Sequence, residues 1–140
     1  MFTLIKQRLL KAIFYGYLLL LLYWMFLGFS RVTSEEYMYN LTPFDTVKKY
    51  ILYYDHFPFT TWIINLAGNV GVFVPFGLLL PAIYPLLKKI VPFFAVFVVG
   101  ITCIEFLQMV SKRGSFDVDD IILNTVGALI GFCIYRIKRA

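Results

Sequence analysis

Residues 90–110 read Ile90-Val91-Pro92-Phe93-Phe94-Ala95-Val96-Phe97-Val98-Val99-Gly100-Ile101-Thr102-Cys103-Ile104-Glu105-Phe106-Leu107-Gln108-Met109-Val110. One side chain in this run, Glu105, is charged, and the run is bracketed by Lys88-Lys89 and Lys112-Arg113. A helix of this length rises about 30 Å, which matches the hydrocarbon core of a bilayer. Three more apolar runs lie outside it, Ile13 to Phe29, Trp62 to Leu80 and Asp120 to Ile137. The expected fold is therefore an all-α integral membrane protein with four transmembrane helices, at about 13–29, 62–80, 90–110 and 120–137.

Composition agrees. The 140 residues are 61% hydrophobic, 15% charged and 19% aromatic, with mean hydropathy +0.80. A soluble domain is about half apolar and a quarter charged, so neither that class nor disorder fits. Four spans fill most of the chain, leaving a single domain, 1–140. The net charge of +5 comes from small basic clusters at the ends of apolar runs, which are topology determinants rather than a nucleic-acid surface. The partner is the lipid bilayer, and no nucleic acid is expected.

The basic start, Lys6, Arg8 and Lys11, resembles that of a signal peptide, but Gly28-Phe29-Ser30-Arg31 lacks an A-x-A-like cleavage site, so a retained span is expected. With both termini in the cytoplasm, the inner segments hold Lys6, Arg8, Lys11, Lys88, Lys89, Arg136, Lys138 and Arg139. The outer segments hold Arg31, Lys48, Lys49, Lys112 and Arg113, together with most of the acids. This is the orientation that the positive-inside rule favours.

The outer 1–2 loop contains Thr46 to Tyr54, bracketed by Pro43 and Pro58. Its Tyr, Lys and Ile suit a short helix lying in the membrane interface. Thr60 and Thr61 are candidate caps for the second span, and Pro75 inside that span removes the donor for the Gly71 carbonyl, predicting a kink. Cys103 and Cys133 sit in different runs. They are expected as buried apolar side chains without a disulfide.

Polar groups inside a bilayer need a reason. Asn65 and Asn69 are four apart with Gly68 beside them, Glu105 and Gln108 are three apart, and Asn124 lies one turn into the fourth span, after Asp120. In the expected topology all lie within about 10 Å of the outer surface. The 3–4 loop adds Arg113, Asp117 and Asp119 at the same level, with Arg113 near enough in sequence to fold back on Glu105 or Gln108 or to meet an aspartate. An outward-facing polar pocket built from Asn65, Asn69, Glu105, Gln108, Arg113, Asp117, Asp119, Asp120 and Asn124, roofed by the 3–4 loop and the interfacial helix, follows. Simpler readings stand beside it. Asp117 and Asp120 have N-cap and N3 spacing, the amides could be interhelical glue, and Gly127 and Gly131 form a GxxxG for close packing.

Four segments carry a resemblance. They are Asn65-Leu66-Ala67-Gly68-Asn69 continuing through Pro75-Phe76-Gly77, Glu105-Phe106-Leu107-Gln108, Arg113 to Gly127 with Asp117, Asp120 and Asn124 at R-x-x-D-x-x-D-x-x-x-N spacing, and Asn40-Leu41-Thr42-Pro43-Phe44. Together they resemble the VanZ-like family over about residues 40–131. The resemblance implies a small bacterial plasma-membrane protein associated with resistance to glycopeptide antibiotics, notably teicoplanin and related lipid-bearing compounds. The implied partner is a lipidated glycopeptide or a lipid-linked cell-wall precursor. Gly68, Pro75, Gly77, Gly127 and Gly131 are read as structural.

An enzyme acting on a lipid-linked envelope substrate is the alternative, with Glu105 as base, Arg113 as anion clamp and Asp117-Asp119-Asp120 holding a cation. His56 is the only histidine and has no partner at suggestive spacing, and no serine elbow, P-loop or zinc motif is present. No catalytic residue, cofactor or metal ligand is therefore assigned. A transporter would need a homo-oligomer, because the inner halves of the second and third spans carry no polar residue.

Overall fold

The computed structural model describes residues 2–28 and 33–139. Four of the described helices are long and apolar enough to cross a membrane, at Leu4–Phe26, Phe59–Ile83, Ile90–Val110 and Val118–Ile137. The protein is a four-helix membrane bundle.

The first span lies within α1 (Phe2–Phe26). It begins well before Ile13, because Lys and Arg are good helix formers and their long stems let a helix continue past the bilayer edge. The expected end at Phe29, and Arg31 beyond it, lie outside the described residues. Leu10, Phe14, Tyr17, Leu18, Leu21 and Met25 recur at helical spacing and face the core, while Leu9, Ile13, Leu19 and Tyr23 face outward. In lipid an outward apolar side chain carries no penalty. For the same reason Cys103 and Cys133 are exposed rather than buried as expected.

The loop after α1 contributes β1 (Met38–Asn40) and α2 (Asp45–Leu52). The all-α expectation gains one small exception here. β1 pairs in parallel with β2 (Ser115–Asp117), Asn40 opposite Asp117. This pairing draws the loop before α2 onto the loop before α7 (Val118–Ile137).

The second span is built in pieces. α3 (Phe59–Ile63) passes into a π-helical turn (Ile64–Gly68), then α4 (Asn69–Gly71), a break at Val72-Phe73, and α5 (Val74–Ile83). Neither Thr60 nor Thr61 caps α3. Pro58 occupies the N-cap without a side-chain bond, since the helix starts at Phe59, three residues before the expected Trp62. At the break the Phe76 N–H bonds to the Phe73 carbonyl (3.1 Å), which releases the Val72 carbonyl. The Tyr17 hydroxyl donates to it at 2.7 Å. Lower in the span, Pro85 lacks the N–H that would reach the Pro81 carbonyl, and the Tyr135 hydroxyl donates there at 3.1 Å. Side chains thus satisfy the Val72 and Pro81 carbonyls, as a bilayer demands of freed backbone groups.

α6 (Ile90–Val110) coincides with the quoted run. α4 and α5 pack backbone to backbone against α7. A Cβ on Gly77 would lie 1.9 Å from the Ala128 carbonyl oxygen, one on Gly127 2.0 Å from that of Val70, and one on Gly131 2.0 Å from that of Val74. Small residues let these backbones meet. Gly68 is different, with only the Ile63 oxygen near, at 3.7 Å. Phe14, Phe73, Phe76, Phe93, Phe97 and Phe132 fill the remaining core, with Phe14 and Phe76 edge to face at 5.6 Å.

Helix directions alternate. The start of α1, the α5–α6 connection and the end of α7 therefore share one end of the bundle. Gln7 donates to the Ala82 carbonyl (3.4 Å) and Tyr15 bonds Tyr84 (2.6 Å) there. At the opposite end lie α2, the β pair and the start of α3.

Candidate functional site

Beneath α2 and the β pair lies a cavity of about 480 Å³. Seven of the nine side chains singled out above line it, Asn65, Asn69, Glu105, Gln108, Asp117, Asp120 and Asn124. They come from the π turn, α4, α6, β2 and α7. Glu105 and Asn124 are each 2% exposed and Gln108 4%. Apolar walls are supplied by Leu21, Trp24, Ile63, Ile64, Val72 and Phe73.

Three of the four lining amides are oriented by protein acceptors. Asn65 donates to the Thr61 carbonyl (2.8 Å) one turn back. Asn69 donates to Asp120 Oδ1 at 2.6 Å, tying α4 to α7. Gln108 donates to the Met25 carbonyl (2.8 Å) near the end of α1. A carbonyl or carboxylate can only accept, so these bonds fix which end of each amide is nitrogen. Asn124 differs, because its Oδ1 is buried and has no hydrogen-bond partner among the described residues. Burying such an acceptor unsatisfied costs about 1–3 kcal/mol.

Arg113 and Asp119 lie outside the lining. The Arg113 guanidinium donates to the Phe26 carbonyl (3.3 Å). Asp119, 1% exposed, accepts the backbone N–H groups of Phe44 and Val47 (3.0 Å). Phe44 is the N-cap of α2, has φ 64 and offers no side-chain cap. Asp119 therefore caps α2 from a distant part of the chain, and its negative charge suits a helix N-terminus. Asp117 supports it. One carboxylate oxygen accepts from Thr46 (2.6 Å), and the other from Asn40 (3.4 Å) and from the Asp119 N–H (2.9 Å), which makes Asp117 the N-cap of α7. The oxygens of Asp117 and Asp119 thus face protein donors, and among the described residues no group of His, Cys, Asp and Glu is placed to hold a metal ion.

The interfacial helix and the 3–4 loop were expected to roof the pocket, but three side chains that they contribute were not singled out in the sequence. Thr46 and Tyr50 of α2 and Ser115 of β2 line the cavity. Burial, followed by the charges of Asp120 and Asp117, raises the Tyr50 phenol above its ordinary pKa of 10.0, so it stays a neutral hydroxyl. The sequence of α2 marks an interfacial helix but does not say which of its side chains line the pocket beneath it. Asn40, quoted above as part of a motif, accepts from the Thr42 N–H (3.1 Å) and donates to Thr46 (3.0 Å), so the Asn40-to-Phe44 segment shapes the approach to α2.

The family model VanZ/LLP1 matches residues 14–139. The chain belongs to the VanZ/LLP1 family. Within it, a 75-residue stretch is 33% identical to Protein VanZ of Enterococcus faecium, covering 54% of this chain and 46% of that relative. The chain thus spans about half the length of the curated relative it matches. No solved structure matches. Family membership and the four apolar helices make this a VanZ-type multi-pass membrane protein.

Proposed function

We propose that the protein contributes to tolerance of glycopeptide antibiotics, teicoplanin and its lipid-bearing relatives above all, through the cavity beneath α2, opening at the outer leaflet of the bacterial plasma membrane. The observation that carries this reading is one cavity in which Glu105, Gln108, Asp120 and Asn124 meet Trp24, Ile64 and Phe73, a mixed polar and apolar lining suited to an amphiphile. Lipid-bearing glycopeptides and lipid-linked precursors are amphiphiles, and they meet where wall precursors emerge. The positive-inside rule supports an outward opening, because the opposite end of the bundle carries Lys6, Arg8, Lys11, Lys88, Lys89, Arg136, Lys138 and Arg139.

The test is drug tolerance at matched protein level in the membrane. Glu105→Ala and Asp120→Ala lower teicoplanin tolerance by roughly tenfold, equivalent to about 1.4 kcal/mol, and vancomycin tolerance less. Equal tolerance in parent and variants removes the proposal.

A further inference from the structure

We infer that the cavity recognises an organic ammonium group on an apolar body, and discriminates against a phosphate head. The inference names the ligand class of the site proposed above and rests on that reading for its biological setting.

Three acidic side chains, Glu105, Asp117 and Asp120, line the cavity, and no Lys, Arg or His does so among the described residues. An acidic lining alone would not define a ligand. The second observation is Asn124 Oδ1, buried and without a hydrogen-bond partner among the described residues. It lies one helical turn beyond Asp120 on α7 and lines the same space. Asp117 adds only charge, since its oxygens already accept from Thr46, Asn40 and the Asp119 N–H, and Asn124 Oδ1 is the acceptor left for a ligand donor.

The amide nitrogens point the same way. Those of Asn65, Asn69 and Gln108 already bond to protein acceptors. A phosphate needs Arg, Lys or convergent N–H donors, and the lining offers none of the basic groups. An ammonium carries three donors and no acceptor. Trp24 and Tyr50 add aromatic rings, and ring faces attract organic cations. Leu21, Ile63 and Val72 would take the attached hydrocarbon, which favours an organic cation over a bare metal ion.

The experiment uses the full chain carrying Trp62→Phe, in phosphatidylcholine nanodiscs, so that Trp24 alone reports. The probes are octylammonium, octyl phosphate, octanol and calcium chloride. Octylammonium changes Trp24 emission saturably and binds at least about tenfold more tightly than octyl phosphate or octanol, about 1.4 kcal/mol. Asn124→Leu and Asp120→Asn each weaken octylammonium by a similar factor. Octyl phosphate binding as tightly, calcium displacing the amine at equimolar concentration, or unchanged affinity in folded variants would each overturn the inference. The probe comparison uses no cavity variant, so it decides the matter even if Asn124→Leu does not fold. Selective ammonium binding with no effect of Glu105 on drug tolerance would sink the resistance reading and leave this one standing.

Discussion

Asp119 shows how a residue chosen for its chemistry can turn out to serve architecture. Its spacing after Asp117 fits a cation site equally well. What decides is the partner, the uncapped start of α2, more than 70 residues away along the chain. Asp119→Ala leaves two donors without their acceptor and lowers stability by about 3 kcal/mol. Asp55→Ala, an exposed acid on the same loop, shifts it by less than about 0.5 kcal/mol. Thermal unfolding in micelles compares the two, and equal shifts would refute the capping role. Tyr50 gives a pH signature from the same region. Its raised pKa means that folding favours the protonated phenol, so this contribution is complete below pH 10.0 and fades as pH rises through the folded value. Asp120→Asn removes one of the charges that raise it, so the phenolate of Tyr50 forms at lower pH. Ultraviolet difference titration against Tyr50→Phe measures this, and an unchanged titration would contradict the stated cause.

Among the elements, α6 was fully legible because basic pairs bracket an unbroken apolar run. The second span was legible in extent but not in shape. Pro75 announces a kink, yet the π turn at Ile64–Gly68 has no equally clear mark, and such turns are commonly found at functional sites. The amides at 65 and 69 were readable as one face, and their depth could be compared with that of Glu105 and Asn124 by counting rise per residue. The interfacial helix was expected over the pocket, but Thr46 and Tyr50 could not be singled out, because its register is set by the β1–β2 pairing between remote segments. The glycines separate by contact rather than by motif. Gly77→Ala and Gly127→Ala drive a Cβ into backbone oxygen and cost about 3 kcal/mol each. Gly100→Ala has open space and gains up to about 1 kcal/mol of helix propensity. Unfolding in micelles ranks the three, and a tolerated Gly127→Ala would mean that α4 and α7 do not approach this closely.

For the whole molecule, the charges divide by end. All eight acids belong to the end that holds the cavity, from Glu35 and Glu36 through Asp45, Asp55 and Glu105 to Asp117, Asp119 and Asp120, and none accompanies the basic residues at the other end. The positive-inside rule counts Lys and Arg beside the spans, and eight of the thirteen sit at the cavity-free end. In three short segments they flank α1, the α5–α6 connection and α7, so every span contributes to the same preference. On the orientation proposed above the cavity opens outward, and the proposed ammonium-bearing amphiphile would enter from the outer leaflet without crossing the bilayer. A chain with Cys103→Ala and Cys133→Ala carries one new cysteine at either end, Glu36→Cys or Lys88→Cys, both on exposed positions. In intact cells a membrane-impermeant maleimide labels the first, and the second only after lysis. The reverse pattern would put the cavity on the cytoplasmic side, and a drug acting outside the cell could not reach it.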